Sequence, residues 1–263
     1  MIGKVMLLAW SLAYVGIARA QTSRLAPALV TNKLYVGIEG TAFVNFSTFS
    51  GSGYVDNGMR KPPLPTRSFG LSLRQNLSQR LSLETGVSII RLGYKATFTG
   101  NYRGGKRWRD KAILTSAFSL LEIPVRINYF VGSKATKWRK YVSLGTSLLY
   151  NPYGGRAGAV GGRAGFVDAY TGDTFTLNER RWQGPRLTAI AQAGVGMERD
   201  LGKRVIINLG LVYAKGFTNV AVWDVRYTTW DVSQAVDGVT FNNTITNKST
   251  YLGLRLALQV ALF

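Results

Sequence analysis

The stretch YLGLRLALQVALF at 251–263 sets Leu252, Leu254, Leu256, Leu258, Val260 and Leu262 on one face and Tyr251, Gly253, Arg255, Ala257 and Gln259 on the other. A period of two places successive side chains on opposite sides of a β-strand. One side of this strand is purely aliphatic and the other mixes charge, amide and small residues. A strand in a soluble sheet also alternates, but its apolar face is rarely so long and so free of polar interruption.

The same alternation recurs upstream. Residues 205–213 set Val205, Ile207, Leu209, Leu211 and Tyr213 against Ile206, Asn208 and Gly210, and 187–198 set Leu187, Ala189, Ala191, Ala193, Val195 and Met197 against Thr188, Gln192, Gly194, Gly196 and Glu198. Residues 140–150, 117–131, 80–94, 67–77 and 33–46 continue the pattern, which makes about eight segments, each long enough to cross a bilayer as a tilted strand of roughly 9–11 residues. Links near 77–80, 131–139 and 199–203 are short, and those near 47–66, 95–112, 151–184 and 218–248 are long. This strict alternation predicts an all-β fold: a transmembrane antiparallel up-and-down β-barrel with short periplasmic turns and four long extracellular loops. A soluble lipocalin-like barrel shares the alternation but not the unbroken aliphatic band.

The polar face carries Glu39, Arg74, Glu84, Glu122, Arg126, Glu198 and Arg255 beside Gly37, Gly70, Gly86, Gly145, Gly194, Gly196 and Gly253. Small residues next to paired charges suit a crowded lumen, so these seven side chains are expected to form a luminal charge network. Aromatics near segment ends, Tyr94, Tyr129, Phe130, Tyr150 and Tyr213, suit interfacial girdles. Pro124 falls in mid-strand, where it removes a ladder donor and predicts a bulge or an opened pairing.

Lys4, the apolar run Val5–Ile17 and Ala18-Arg19-Ala20 read as a signal peptide over 1–20. The run is shorter than the roughly 20 residues of a membrane-spanning helix. A short periplasmic segment over 21–32 would follow, then the barrel over 33–263, in the outer membrane of a Gram-negative bacterium and reached through the general secretory route. The chain has no cysteine, which excludes disulfides, thiolate metal sites and a lipid-anchored lipoprotein.

The formal charge is +20, and +18 once Lys4 and Arg19 leave with the signal. An anionic neighbour is expected. No nucleic-acid motif is present, and an exported protein meets phosphorylated lipid and acidic glycans instead. The expected partners are outer-membrane lipid and lipopolysaccharide, with an envelope protein as a further candidate. The loop NYRGGKRWRDK at 101–111 gathers Arg103, Lys106, Arg107, Arg109 and Lys111 around Tyr102 and Trp108, a candidate contact for anionic lipid or glycan. Lys134, Lys137, Arg139 and Lys140 are expected to meet phospholipid headgroups at the periplasmic rim.

Catalytic and cofactor chemistry is poorly served. There is no histidine, so a Ser/His/acid triad is impossible. Glu84 and Glu122 would be the remaining acid–base pair, and pairing with luminal arginines is the expected use of both. The near-repeat GGRAGAV at 154–160 and GGRAGFV at 161–167 is not followed by Gly-Lys-Ser/Thr and reads as an external loop or hairpin extension. Asp224, Asp231 and Asp237 match no calcium-loop spacing and read as solvated loop acids. No catalytic residue, metal ligand or cofactor is expected.

LSLETGVSIIRLGYKA at 81–96, LLEIPVRINYFVG at 120–132, KYVSLGTSLLY at 140–150 and LGLVYAKGFTNV at 209–220, in this order, resemble the outer-membrane β-barrel domain of Bacteroidetes known as the PorT family. The resemblance spans nearly all of the chain beyond the signal. It implies an outer-membrane barrel of about eight strands, and some relatives are linked to type IX secretion. The expected role is a non-enzymatic barrel with a side-chain-filled lumen, structural or surface-interacting. A narrow channel for small or apolar solutes and an accessory subunit of a secretion assembly are the alternatives.

Overall fold

The computed structural model describes residues 33–51, 64–98, 112–131, 138–152, 154, 162–167, 174–202, 204–231 and 236–262. The segments expected as signal peptide (1–20) and periplasmic lead (21–32), the loop 101–111, Lys134, Lys137 and Phe263 lie outside these residues. Eleven strands are described: β1 (Leu34–Gly51), β2 (Leu64–Asn76), β3 (Leu81–Phe98), β4 (Ala112–Val131), β5 (Arg139–Tyr150), β6 (Gly162–Val167), β7 (Thr174–Gln183), β8 (Leu187–Asp200), β9 (Val205–Gly216), β10 (Ala221–Asp231) and β11 (Val236–Ala261).

Eight of them close a barrel. The antiparallel order β1-β2-β3-β4-β5-β8-β9-β11 returns to β1 through the β1–β11 pairing. The register gives the stagger of that closure. The row of cross-strand partners Tyr35, Arg74, Glu84, Arg126, Gly145, Gln192, Ala214 and Tyr251 comes back to β1 at Asn45, ten residues beyond its start. Eight strands about 4.8 Å apart, displaced by ten residues of about 3.3 Å, tilt the strands by about 40° and hold the backbone about 8 Å from the axis. An interior this narrow is filled by side chains.

The expected faces are observed. Leu144, Leu254, Leu256, Val195 and Ile127 point outward and are half exposed, while Arg255, Gln259, Asn208 and Arg126 point inward and are buried. From Leu262 to Leu252 the outward aliphatic row of β11 rises about 25 Å along the axis, the height of the lipid-facing band of such barrels. The two ends of the barrel wall, Leu34 and Ala261, lie beside the short turns. In the 77–80 turn the Leu77 and Ser78 amides donate to the Leu81 carbonyl, and Ser78 Oγ accepts from the Arg80 and Leu81 amides. Gly202 takes φ +134° in the turn from β8 to β9, a conformation that favours glycine.

Two long connections contain further strands. β10 continues β9 along β11, β7 continues β8 along β10, and β6 forms a hairpin with β7. The breaks fall on one line across the sheet. The Gly184 amide donates to the Val220 carbonyl, the Val220 amide donates to the Asn247 carbonyl, and the β1–β11 register shifts by two residues between Phe46 and Ser47. Ser249, in that bulge, has φ +58° and donates its amide to Asn247 Oδ1. A side chain at Gly216 would collide with the Lys248 carbonyl, so glycine is required where the line crosses β9. Asp224, Asp231 and Asp237, expected in a loop, therefore sit on paired strands, and Asp224 accepts from Thr244 Oγ1.

Pro124 opens the ladder without a bulge. The β3–β4 partners pass from Thr85–Val125 to Ser88–Glu122 in unchanged register, and Thr85 Oγ1 donates to the Pro124 carbonyl at 2.9 Å. A second local device serves the half nearer the short turns. Tyr141 lies over the cross-strand glycines Gly196 and Gly210 and donates to Asn208 Oδ1 at 2.5 Å. Gly196→Val should evict the ring and break that bond, lowering unfolding free energy by about 1–3 kcal/mol, whereas Tyr141→Phe should lose only about 1 kcal/mol. Urea titration of the folded barrel in detergent measures both.

Candidate functional site

The site is the lumen, and it is built from alternate positions of the eight barrel strands. All seven side chains expected there, Glu39, Arg74, Glu84, Glu122, Arg126, Glu198 and Arg255, are buried. The tilt makes cross-strand neighbours climb the wall, so Arg74, Glu84 and Arg126, adjacent on β2, β3 and β4, place alternating charges side by side. At the centre Arg126 reaches Glu39 at 3.0 Å and Glu84 at 2.9 Å, and Arg255 pairs with the same Glu39 at 3.0 Å and with Glu84. Two guanidinium groups and two carboxylates thus form a closed square.

Hydrogen bonds extend the square in both directions. Asn128 Nδ2 donates to Glu84 Oε2 at 3.3 Å. Arg126 Nε donates to Gln192 Oε1 at 2.9 Å, and Gln192 Nε2 donates to Glu122 Oε1 at 2.8 Å and to the Tyr251 hydroxyl at 3.0 Å. Glu122 also accepts from Ser88 Oγ at 3.2 Å, and among the described residues it makes no ion pair. Gly145 lets β5 approach β4 beside Arg126, because a Cβ there would collide with the Val125 carbonyl oxygen and lie 2.9 Å from Arg126 Cα.

Nearer the short turns Glu198 pairs with Arg74 at 2.5 Å and with Arg139. Arg139 corrects an expectation: instead of meeting headgroups, it turns into the barrel mouth, donates to the Gln79 carbonyl and stacks 3.9 Å from the Phe130 ring centre. A carboxylate and an aromatic face inside the mouth hold it better than water would. Phe130 likewise leaves the expected girdle and faces inward between Arg139 and Arg74, while Tyr129 and Tyr213 do point outward. With Arg139, which is partly buried at the mouth, four luminal arginines stand against four glutamates among the described residues, so these charges cancel. Arg74 Nη2, Asn128 Oδ1, Asn208 Nδ2 and Gln259 Oε1 have no protein partner, so the network is complete at the square and incomplete beneath it.

The half of the lumen away from the short turns is mainly apolar, with Asn45, Ser47, Asn247 and Ser249 as buried polar exceptions, and the sequence pattern does not reveal it. Phe43, Ile90, Leu92, Phe118, Leu120, Leu149, Ile190, Trp223 and Ile245 form one buried cluster with Tyr251 at its base. Phe118 of β4 meets Trp223 of β10 at 5.7 Å between ring centres, and Phe43 meets Tyr251 at 4.5 Å. Asn45 and Asn247 both donate to the Gly93 carbonyl, tying β3 to β1 and β11 above the short strand β2. Adjacent apolar residues such as Ile89 and Ile90, or Leu120 and Leu121, were the available signal: alternation fades where both faces are apolar.

No group of three or more metal-ligating side chains is placed together among the described residues. The basic cluster Arg103, Lys106, Arg107, Trp108, Arg109 and Lys111 lies outside them.

No protein-family model and no curated protein matches the chain. Solved structures similar to it include the outer membrane protein OprG from Pseudomonas aeruginosa, 8% identical with a TM-score of 0.43 over 88% of this chain and 96% of that one. The E. coli outer membrane protein W is 12% identical with a TM-score of 0.33 over 82% and 97%. The N-terminal β-barrel domain of P. aeruginosa OprF is 10% identical with a TM-score of 0.31 over 84% and 96%.

The square and Glu122 should respond differently to charge removal. Arg126→Met strips one partner from each of Glu39 and Glu84 and is expected to cost about 3–5 kcal/mol, whereas Glu122→Gln keeps its hydrogen bonds and should cost about 1 kcal/mol or less. Unfolding of both variants in lipid vesicles measures the contrast.

Proposed function

We propose that the chain is an integral outer-membrane β-barrel protein that acts as a closed, non-enzymatic body. It contributes to envelope structure or presents its external strands and loops to a surface partner. The observation that carries this reading is the filled lumen, in which an apolar cluster lies directly above a charge-balanced, hydrogen-bonded network. Neither layer offers a wetted axial path, since a barrel of eight strands has little room beyond its own side chains. The aliphatic outer face, with Leu144 at 63% and Leu254 at 61% exposure, supports a lipid surrounding. The proposal includes export by the signal read over 1–20, and it is supported by the resemblance of the stretches 81–96, 120–132, 140–150 and 209–220 to the PorT-family barrels of Bacteroidetes.

The absence of histidine and the engagement of the luminal carboxylates by arginine, glutamine, serine and asparagine support a non-catalytic role. Outer-membrane lipid and lipopolysaccharide are the proposed surroundings, with the 101–111 loop as one contact.

Two measurements test the proposal. Envelope fractionation should recover the protein with the outer membrane, and the refolded protein should give no reproducible conductance steps in planar bilayers; steady steps would favour a channel. Leu144→Arg, in the middle of the outward band, should reduce stability in lipid by about 2–4 kcal/mol.

A further inference from the structure

Outside the lumen, one part of the outer face departs from the aliphatic band. Ser68 and Ile90 are the last partners of the β2–β3 ladder, and one residue beyond them on each strand stand Arg67 of β2 and Arg91 of β3, both with exposed side chains. Ala42 of β1 flanks Arg67 and Ser119 of β4 flanks Arg91. Like charges neighbouring on one sheet face repel. Among the described residues neither arginine makes an ion pair or hydrogen bond, and no carboxylate lies on the outer face of β1–β4.

The row immediately toward the short turns is apolar: Phe69 and Ile89, paired with each other, are 63% and 60% exposed. Leu71 and Val87 continue it downward. Two guanidinium forks therefore stand where the aliphatic band ends, on the side of the long connections. A guanidinium binds phosphate through parallel N–H donors, and two neighbouring forks can share one phosphate and cancel their own repulsion.

We infer that Arg67 and Arg91 form a phosphate clamp for a phosphorylated, acylated lipid of the outer leaflet, whose acyl chains lie along Phe69, Ile89, Leu71 and Val87. The site is separate from the 101–111 loop, and it rests on the proposed orientation of the barrel in the outer membrane. Apolar surface and anion recognition meet there in the order that an amphipathic lipid presents them.

The test uses the full chain folded in detergent and two probes, bis-phosphorylated lipid A and lipid A with both phosphates removed, with binding read by native mass spectrometry. The wild-type protein should prefer the phosphorylated lipid. R67Q/R91Q should weaken phosphorylated lipid A binding by about tenfold or more, since two charge-assisted pairs are lost, and leave the dephosphorylated lipid unchanged. R199Q/R204Q, which removes the same charge at the periplasmic rim, should have little effect. Equal wild-type binding of the two lipids overturns the clamp, and so does an equal loss in R199Q/R204Q. The wild-type comparison decides the matter even if a variant fails to fold. Fractionation away from the outer membrane would instead sink the proposed location and leave this binding contrast intact.

Discussion

Closure of β11 on β1 with a ten-residue stagger is the constraint from which the other features follow. Once eight strands are joined at that stagger, the tilt and the radius are no longer free, and the interior admits little beyond the side chains of the wall. Every inward position must then be small, packed against an apolar neighbour, or bonded to a polar one. Closure also leaves no unpaired edge in the barrel wall between the termini, as lipid demands of a spanning sheet.

The lumen meets that demand in two ways at its two ends. Toward the short turns it is polar, and four arginines and four glutamates cancel. Burying an ion pair is expensive unless the charges are closely paired and shared, and Glu39 Oε2 and Glu84 Oε1 each serve both Arg126 and Arg255. Toward the long connections the lumen is mainly apolar, because β10 and the upper part of β11 bring Trp223 and Ile245 over Phe118, Leu92 and Ile90. The line of irregularity through Gly184, Val220 and Ser249 separates the barrel wall from those added strands. Closure by both polar and apolar means is what favours a body that presents surfaces over one that conducts.

The outer face uses the opposite logic. It is aliphatic along its height and becomes basic at the ends, and Arg67 and Arg91, one residue past the last β2–β3 partners, mark one such boundary with no carboxylate among the described residues to answer them. Among the described residues every arginine inside the barrel has an acid within reach, whereas on the outer face of β1–β4 none does. That asymmetry, at a chain charge of +20, directs the surplus toward an external anion.

Alternation by itself determined the barrel class, the outward set from Leu252 to Leu262 and the seven luminal charges, because a period of two with one purely aliphatic side is what a strand between lipid and a polar lumen requires. The missing donor of Pro124 predicted a bulge or an opened pairing, and the unchanged β3–β4 register decided for the opened ladder. Only the tertiary structure decided which charges pair, since Glu39, Glu84, Arg126 and Arg255 come from four strands separated by up to 216 residues and are joined by a register no single strand carries. Arg139 and Phe130 have the inward parity of their strands although their place at strand ends suggested the rim, and only the tertiary structure shows what holds them in the mouth: Glu198 pairs with Arg139, which stacks on the Phe130 ring. The apolar plug was equally hidden, since it depends on β10 and the upper part of β11 closing over the mouth, and where both faces of a strand are apolar the period that reveals orientation disappears.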